Sequence, residues 1–429
     1  MNKQMIHDLV GIGIGPFNLG LAALAKNFPN LNTKFFDRNA SFNWHPGLLM
    51  PETRLQVPFF ADLVTPADPT SRFTYMNFLK TKGRFFRFGI QENNFITRFE
   101  YNEYCQWVIS QLPNLHFGFT CEAIHFNSQK DCYDLYFRGA DGHSYLFHGK
   151  KIVIGVGTVP SMPECVADCD HDLVFHSSNY LFKKEMLSGQ KHILIVGSGQ
   201  SAAEIFYDLL QHTSNSSSVI ESISWFTRAE YIFPMDGSKF AFELTSPDYI
   251  DYFYNLPDTI KQKLQSAQNR LYKGVNKELI DAIYQRLYLN ALHDSRLKVN
   301  IQTNTEFDQI RVENQSKINL LFYHLTKEQF CEYPADMAIF ATGYKNVIPE
   351  FLNPVRALIQ WKEDGNYDAN KNYSVDANDS VFVQNADLQS HGFNSADLGM
   401  GPLRNAAILN TIFGNEQFTF EKNVTFQHF

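Results

Sequence analysis

Leu9-Val10-Gly11-Ile12-Gly13-Ile14-Gly15-Pro16-Phe17-Asn18-Leu19 is an apolar run that turns glycine-rich and then becomes apolar again. Its first four residues read as a short buried strand. Phe17, Leu21, Leu24 and Phe28 then recur at helical spacing, the stripe of a helix lying on a sheet. A strand, a glycine turn and a helix in that order form a dinucleotide-binding unit. Glycine leaves room for backbone N–H groups at the helix N-terminus to approach a pyrophosphate, and the helix dipole favours its charge. Gly13 and Gly15 take the first two glycine positions, Pro16 opens the helix, and Asn18 stands where a third glycine is expected. The next strand, Lys34-Phe35-Phe36, ends on Asp37, where a carboxylate can accept hydrogen bonds from ribose hydroxyls.

A second unit follows the same grammar. His192-Ile193-Leu194-Ile195-Val196 is the continuous apolar run of a buried parallel strand, and it enters Gly197-Ser198-Gly199-Gln200-Ser201-Ala202 and a helix through Leu210. The following strand, Ile223-Ser224-Trp225-Phe226, ends in Thr227-Arg228 instead of an acid, which suits the 2′-phosphate of NADPH; Glu230 nearby tempers that preference. Two such units in one chain characterise flavoproteins that accept hydride from a nicotinamide cofactor, so FAD and NADPH are the expected cofactors. Ile152-Val153-Ile154-Gly155-Val156-Gly157-Thr158 and Ala338-Ile339-Phe340-Ala341-Thr342-Gly343-Tyr344 are apolar strands with glycine-bearing ends, marking where the chain crosses between the two sheets.

The bulk numbers agree with a soluble enzyme. A chain of 429 residues, 44% hydrophobic and 19% charged, buries large cores in two or three domains. The net charge of −8 gives no general attraction for nucleic acid or an anionic membrane. The apolar stretch near the start is broken by glycine, proline and asparagine, which disfavours a signal peptide or a membrane span; a cytoplasmic location is expected. Six scattered cysteines fit a reducing compartment, and Cys165 and Cys169 have neither redox-pair spacing nor nearby histidines, so no metal site is expected. The same absence of an exchanging pair disfavours a disulfide reductase. Self-association is left open.

The motifs together resemble the siderophore-pathway N-hydroxylating flavin monooxygenases, which act on lysine, ornithine and decarboxylated amines. The resemblance rests on Gly13 to Leu19, Phe42-Asn43-Trp44-His45-Pro46-Gly47, Asp62-Leu63-Val64-Thr65-Pro66, the Gly197 to Ala202 turn, Phe340-Ala341-Thr342-Gly343-Tyr344 and His391-Gly392, spread over nearly the whole chain. It implies reduction of FAD by NADPH, reaction with dioxygen, and oxygen transfer from a flavin hydroperoxide to a small primary amine. It also implies cofactor contacts from Trp44, His45, Thr342, Gly343 and Tyr344, and a catalytic glutamine beside the flavin at Gln56. In the ornithine-acting branch a lysine and two asparagines hold the amino-acid end of the substrate. Those positions fall here on Ala61, Phe242 and Leu271. Burying a substrate carboxylate without these partners would cost several kcal/mol, so the expected substrate lacks one: histamine, putrescine or cadaverine.

Asp397, where that branch is apolar, offers a carboxylate to a far ammonium or an imidazole N–H; its alternative role is to cap the helix that follows. L-lysine or L-ornithine as substrate, and a nucleotide-binding redox sensor that does not turn over, stay as alternative functions.

The expected architecture is α/β, with two Rossmann-like dinucleotide-binding domains and a small, mostly helical substrate region. Residues 1–183 and 346–429 make the FAD domain, 184–230 and 274–345 the NADPH domain, and 231–273 the substrate region. The aromatic segment Tyr249-Ile250-Asp251-Tyr252-Phe253-Tyr254 within it reads as a core helix or, with Phe240 and Phe242, as a lid. Ser214-Asn215-Ser216-Ser217-Ser218 reads as a loop.

Overall fold

The computed structural model describes residues 5–429 apart from 168, 170, 214–217, 294, 295, 315 and 316, so most of the serine-rich run lies outside the described residues. Strand β1 (Ile6–Ile12) is central in the first sheet, flanked in parallel by β2 (Thr33–Asp37) and then β3 (Leu115–Phe117). Strands β4 (Phe119–Asn127) and β5 (Cys132–Gly139) form an antiparallel meander with β6 (Ser144–Ile154), whose second half lies parallel to β1. The apolar runs predicted from sequence are the buried centre: Leu9, Val10, Phe35, Ile152 and Val153 are fully excluded from water.

Beyond β6 the chain leaves through the short strand β7 (Val159–Pro160) and enters a second sheet at β8 (Val174–His176). That sheet is wholly parallel, in the order β11-β10-β9-β15-β8, with β9 (His192–Val196), β10 (Ser222–Phe226) and β11 (Lys298–Gln302). A three-stranded antiparallel sheet follows, made of β12 (Thr305–Asn314), β13 (Lys317–His324) and β14 (Gln329–Ala335), and β15 (Met337–Phe340) returns to the parallel sheet. The chain then exits through β16 (Tyr344–Lys345), antiparallel to β7, so the two glycine-ended segments are the paired crossings between sheets. Finally β17 (Val381–Val383) adds to the first sheet beside β6.

One boundary needs correction. Because β8 pairs with β15, residues 174–176 belong to the second sheet, and the first segment of the FAD domain ends near the β7–β16 crossing instead of at 183. Val174-Phe175-His176 is too short a run to announce which sheet it joins.

Between the second sheet's β10 and β11 lie the helices Lys239–Phe242, Pro247–Tyr254, Asp258–Ala267 and Asn269–Tyr272. Serine hydroxyl caps or prolines set the starts of the first three; Ser246, for example, accepts from the backbone N–H of Tyr249 ahead of Pro247. The aromatic segment is a core helix: Tyr249 and Phe253 pack with Phe393 from the far end of the chain, while Phe240 is 62% exposed. No helix among the described residues is long and apolar enough to cross a membrane.

Candidate functional site

At the first glycine turn, Gly13 has φ +88° and a Cβ there would lie 2.2 Å from the Gly155 carbonyl, so only glycine fits. Gly15 precedes the helix Pro16–Ala25, and the space its Cβ would occupy is open for 4 Å, a gap suited to a phosphate facing the unpaired N–H groups of a helix start. Asn18 explains the missing third glycine. It is buried, and its Nδ2 donates to the carbonyls of Gly13 (2.8 Å) and Ile12 (3.3 Å), so the side chain braces the turn from beneath. Asp37 closes the turn from the side, one carboxylate oxygen accepting from the Ile14 N–H at 2.8 Å. The geometry fits a dinucleotide pyrophosphate with a ribose near Asp37.

The second turn has the same opening. Gly197 has φ +145°, and a Cβ added there would lie 2.3 Å from the Ala341 carbonyl, while one at Gly199 would meet nothing nearer than 3.7 Å. Trp225 Nε1 donates to the Gly197 carbonyl at 2.6 Å. Ser201 lies in the first turn of the helix Gln200–His212. The Gln200 amide is engaged at both ends, accepting from the Asn276 N–H (2.8 Å) and donating to Glu204 (2.8 Å). Arg228 projects from the end of β10, 77% exposed and 3.5 Å from Glu306, free to swing toward a phosphate.

A cleft of about 2190 Å³ opens beside the start of the helix Gln200–His212. Trp44, Gln56, Gln200, Ala61, Phe242, Leu271 and Asp397, drawn from separate stretches of sequence, all line it. Gly13, Gly15, Pro16, Asn18, Asp37, Gly197, Gly199, Ser201, Arg228, Thr342 and Gly343 do not. Thr342 and Gly343 instead lock the crossing, with the Thr342 hydroxyl donating to the Ser161 carbonyl and the Gly343 carbonyl accepting from the Ser161 N–H and His176 Nε2. Tyr344 sets its ring edge-on to His45 (5.9 Å) and His176 (5.1 Å). Crowding by protein, then the Arg98 guanidinium, holds the His45 imidazole below its usual range, so it is neutral at neutral pH; solvent reaches the ring, which limits the size of the depression. Gln56 Nε2 donates to the Gly274 carbonyl at 3.1 Å, tying the first domain to the end of the helical region.

Ala61 and Asp397 are neighbours. Gly399 sits between them, where a Cβ would lie 3.0 Å from Asp397 Oδ1 and 3.3 Å from Ala61 Cβ. Asp397 does not cap the next helix: Gly401–Phe413 begins after Met400, and Asp397 Oδ1 accepts from the Gly399 N–H at 2.7 Å in a tight turn. Burial raises its pKa, opposed by that N–H, the Met400 N–H and the Arg404 charge.

Sequence reasoning missed the ion pair between Arg98, on the helix Arg98–Ile109, and Glu204, which meet at 2.9 Å across the cleft with Glu204 only 3% exposed. No local pattern announces a pair so far apart in the chain. It also missed a trio of metal-ligating types, Cys132, Asp134 and His148, whose atoms lie within 4.8 Å of one another. His148 Nδ1 is 2.5 Å from Asp134 Oδ1, and Lys130 Nζ stands 3.4 Å from the other ring nitrogen, so positive charge already occupies the approach and the group reads as a buried hydrogen-bonded pair.

Comparison with known proteins adds an independent line. Residues 5–346 match the family model for L-lysine 6-monooxygenase/L-ornithine 5-monooxygenase. A putrescine N-hydroxylase of Shewanella oneidensis is 40% identical, the match covering 99% of this chain and 84% of the relative. The FAD-bound crystal structure of a cadaverine monooxygenase of the desferrioxamine pathway from Erwinia amylovora superposes with a TM-score of 0.95 at 39% identity, covering 99% of both chains. An ornithine N-hydroxylase from Kutzneria sp. 744, solved with reduced FAD, NADP⁺ and L-ornithine, gives 0.88 at 26% identity, covering 96% of this chain and 99% of that one.

Proposed function

The chain belongs to the lysine/ornithine N-monooxygenase family, and from that premise we propose that it hydroxylates one nitrogen of a short diamine, putrescine or cadaverine, for siderophore biosynthesis. It is a flavin-dependent N-monooxygenase using FAD and NADPH. When bound, FAD would carry the two electrons taken as hydride from NADPH to dioxygen, one of whose oxygen atoms ends on the amine nitrogen while the other leaves as water.

The protein's own share is positioning. The Gly13–Asn18 turn and Asp37 hold one dinucleotide, the Gly197–Ser201 turn and Arg228 hold the other, and Leu55, Ala61, Leu271, Phe393 and Met400 give the cleft an apolar wall that keeps bulk water from the reacting nitrogen. Gln56, anchored on Gly274, reaches the same cleft from the first domain, where it orients the flavin edge.

The observation that carries the choice of substrate is the charge of the wall. At the position where a lysine would receive a substrate carboxylate stands buried Ala61, and beside it stands the Asp397 carboxylate. That wall repels an amino-acid carboxylate and attracts the far ammonium of a diamine. Histamine offers an imidazole N–H to the same oxygen but carries less charge at neutral pH.

The test is a direct one: supply the holoenzyme and NADPH with putrescine, cadaverine, histamine, L-ornithine and L-lysine in turn, and measure hydroxylamine against peroxide. A diamine should be favoured over ornithine by at least about tenfold in kcat/KM. Equal efficiency with ornithine would sink the proposal.

A further inference from the structure

Arg404 is 1% exposed, and its nearest carboxylate, Asp387, is 3.9 Å away, beyond hydrogen-bond reach. A buried guanidinium whose ion pair with an equally buried carboxylate is made at that distance, without a hydrogen bond, is costly to keep, and packing alone would be served as well by a methionine or leucine. What the group does is legible from its contacts. Nη2 donates to the Ser395 carbonyl at 2.5 Å, and Nη1 donates to Gln384 Oε1 at 3.3 Å. Its guanidinium carbon lies over the rings of Phe17 (4.9 Å) and Tyr373 (5.3 Å). The Ser395 hydroxyl is itself fixed, donating to Asp387 Oδ1 at 2.8 Å. Two residues before Asp397, the chain is therefore pinned at carbonyl and side chain together.

We infer that Arg404 is a positioning residue for the amine: by fixing the Ser395 carbonyl it sets the turn through which Asp397 presents its carboxylate to the cleft. This rests on the reading of Asp397 as the partner of the far ammonium. The fork shape matters, because a lysine carries its three N–H donors on one nitrogen and cannot span Ser395 and Gln384 with two separate, coplanar nitrogens. The positive charge also favours the ionised form of Asp397 against its burial.

A purely structural role predicts something different. Gln384 Nε2 donates to Asn405 Oδ1 (2.6 Å), and Asn405 Nδ2 donates to the Phe17 carbonyl (2.9 Å) beside the first glycine turn. If Arg404 only supported that turn, its loss would weaken FAD binding and would impair every amine alike.

The experiment compares KM for putrescine and cadaverine with KM for butylamine and pentylamine, which lack the far ammonium, on protein shown by its visible absorbance to be fully loaded with FAD. Arg404→Met should raise the diamine-to-monoamine KM ratio by about tenfold and Arg404→Lys by about threefold. In an Asp397→Asn background, neither should raise it further. If Asp397→Asn raises the ratio but the Arg404 variants do not, the positioning role is overturned and the substrate reading stands. If Asp397→Asn itself leaves the ratio unchanged, the substrate reading falls, and this inference with it. Should Arg404→Met fail to accumulate as folded protein, Arg404→Lys decides on the same terms.

Discussion

At the first glycine turn the bracing groups, Asn18 and Asp37, come from the same strand-turn-helix-strand unit and bind the turn's own backbone. At the second, the helix that follows is tied outward: Gln200 to Asn276 beyond the helical region, and Glu204 to Arg98 in the other domain. The first site is braced within the FAD side, mostly by its own unit with Asn405 reaching the Phe17 carbonyl from the end of the chain, and the other doubles as the joint on which the domains meet. The same sequence grammar thus yields a turn held inside one domain in one place and one coupled across domains in the other. Damage to the first should stay local, and damage to the second should reach across the cleft.

The sharpest break of that comparison is to add one methyl group to each turn. Gly13→Ala and Gly197→Ala each combine a positive φ with backbone oxygen within 2.3 Å, well beyond the roughly 1 kcal/mol cost of alanine in that conformation alone. Gly13→Ala should yield colourless protein without activity. Gly197→Ala should stay yellow, and stopped-flow absorbance should show flavin reduction by NADPH lost or slowed by at least about a hundredfold. Loss of flavin from both would remove the distinction.

Next in size is the seam. Removing Arg98 leaves Glu204 buried with only Gln200 as donor, and Arg98→Met should cost about 3 kcal/mol in unfolding free energy, read from denaturant titrations. Burial already raises the Glu204 pKa despite the arginine, so the folded state binds that proton more tightly than the unfolded state does. Stability then falls as pH rises from the unfolded value through the folded one, and the deficit should shrink on acidification. Arg98→Met combined with Glu204→Gln should recover most of it. A deficit independent of pH would mean that the pair does not join the domains electrostatically.

A smaller effect separates the strand ends. Asp37 spends one oxygen on the turn, whereas Arg228 is exposed beside Glu306, committed to no buried contact. Arg228→Gln should lower the preference for NADPH over NADH about tenfold, near 1.4 kcal/mol, with little change in protein stability. An unchanged ratio of kcat/KM values would assign the 2′-phosphate to another group.

What the sequence disclosed follows the same division. Both turns, their strands and the crossings are legible because strand, glycine and helix signals are local and repeat. Asn18 looks like a defect in the fingerprint because its buried hydrogen bonds to Ile12 and Gly13 exist only once the turn is folded. Strand β8 falls to the wrong domain on sequence alone because its partner β15 lies far along the chain, and the pairing leaves no mark on Val174-Phe175-His176. The cleft residues come from resemblance, since nothing in Ala61, Phe242 or Leu271 alone points to an amine. The Arg98–Glu204 pair and the Arg404 fork escape for the same physical reason: a buried charge is recognisable only by what surrounds it.

The smallest expected effect concerns pH and the cleft itself. Burial holds the Asp397 carboxyl above its ordinary range, against the pull of the Gly399 and Met400 N–H groups and Arg404. As pH falls from about 8 to about 5, the fraction ionised should begin to drop before that of an ordinary aspartate would. Attraction for a far ammonium goes with it, so the diamine KM should rise on acidification. Protonation of the reacting nitrogen raises KM for every amine, and the ratio of diamine to monoamine KM removes that common part. The ratio should climb toward the acid end in the wild type and stay flat in Asp397→Asn. A ratio that is flat in both would mean that the far end of the substrate is held by shape alone. The apolar wall of Ala61, Leu271 and Phe242 would then set specificity without the carboxylate beside it.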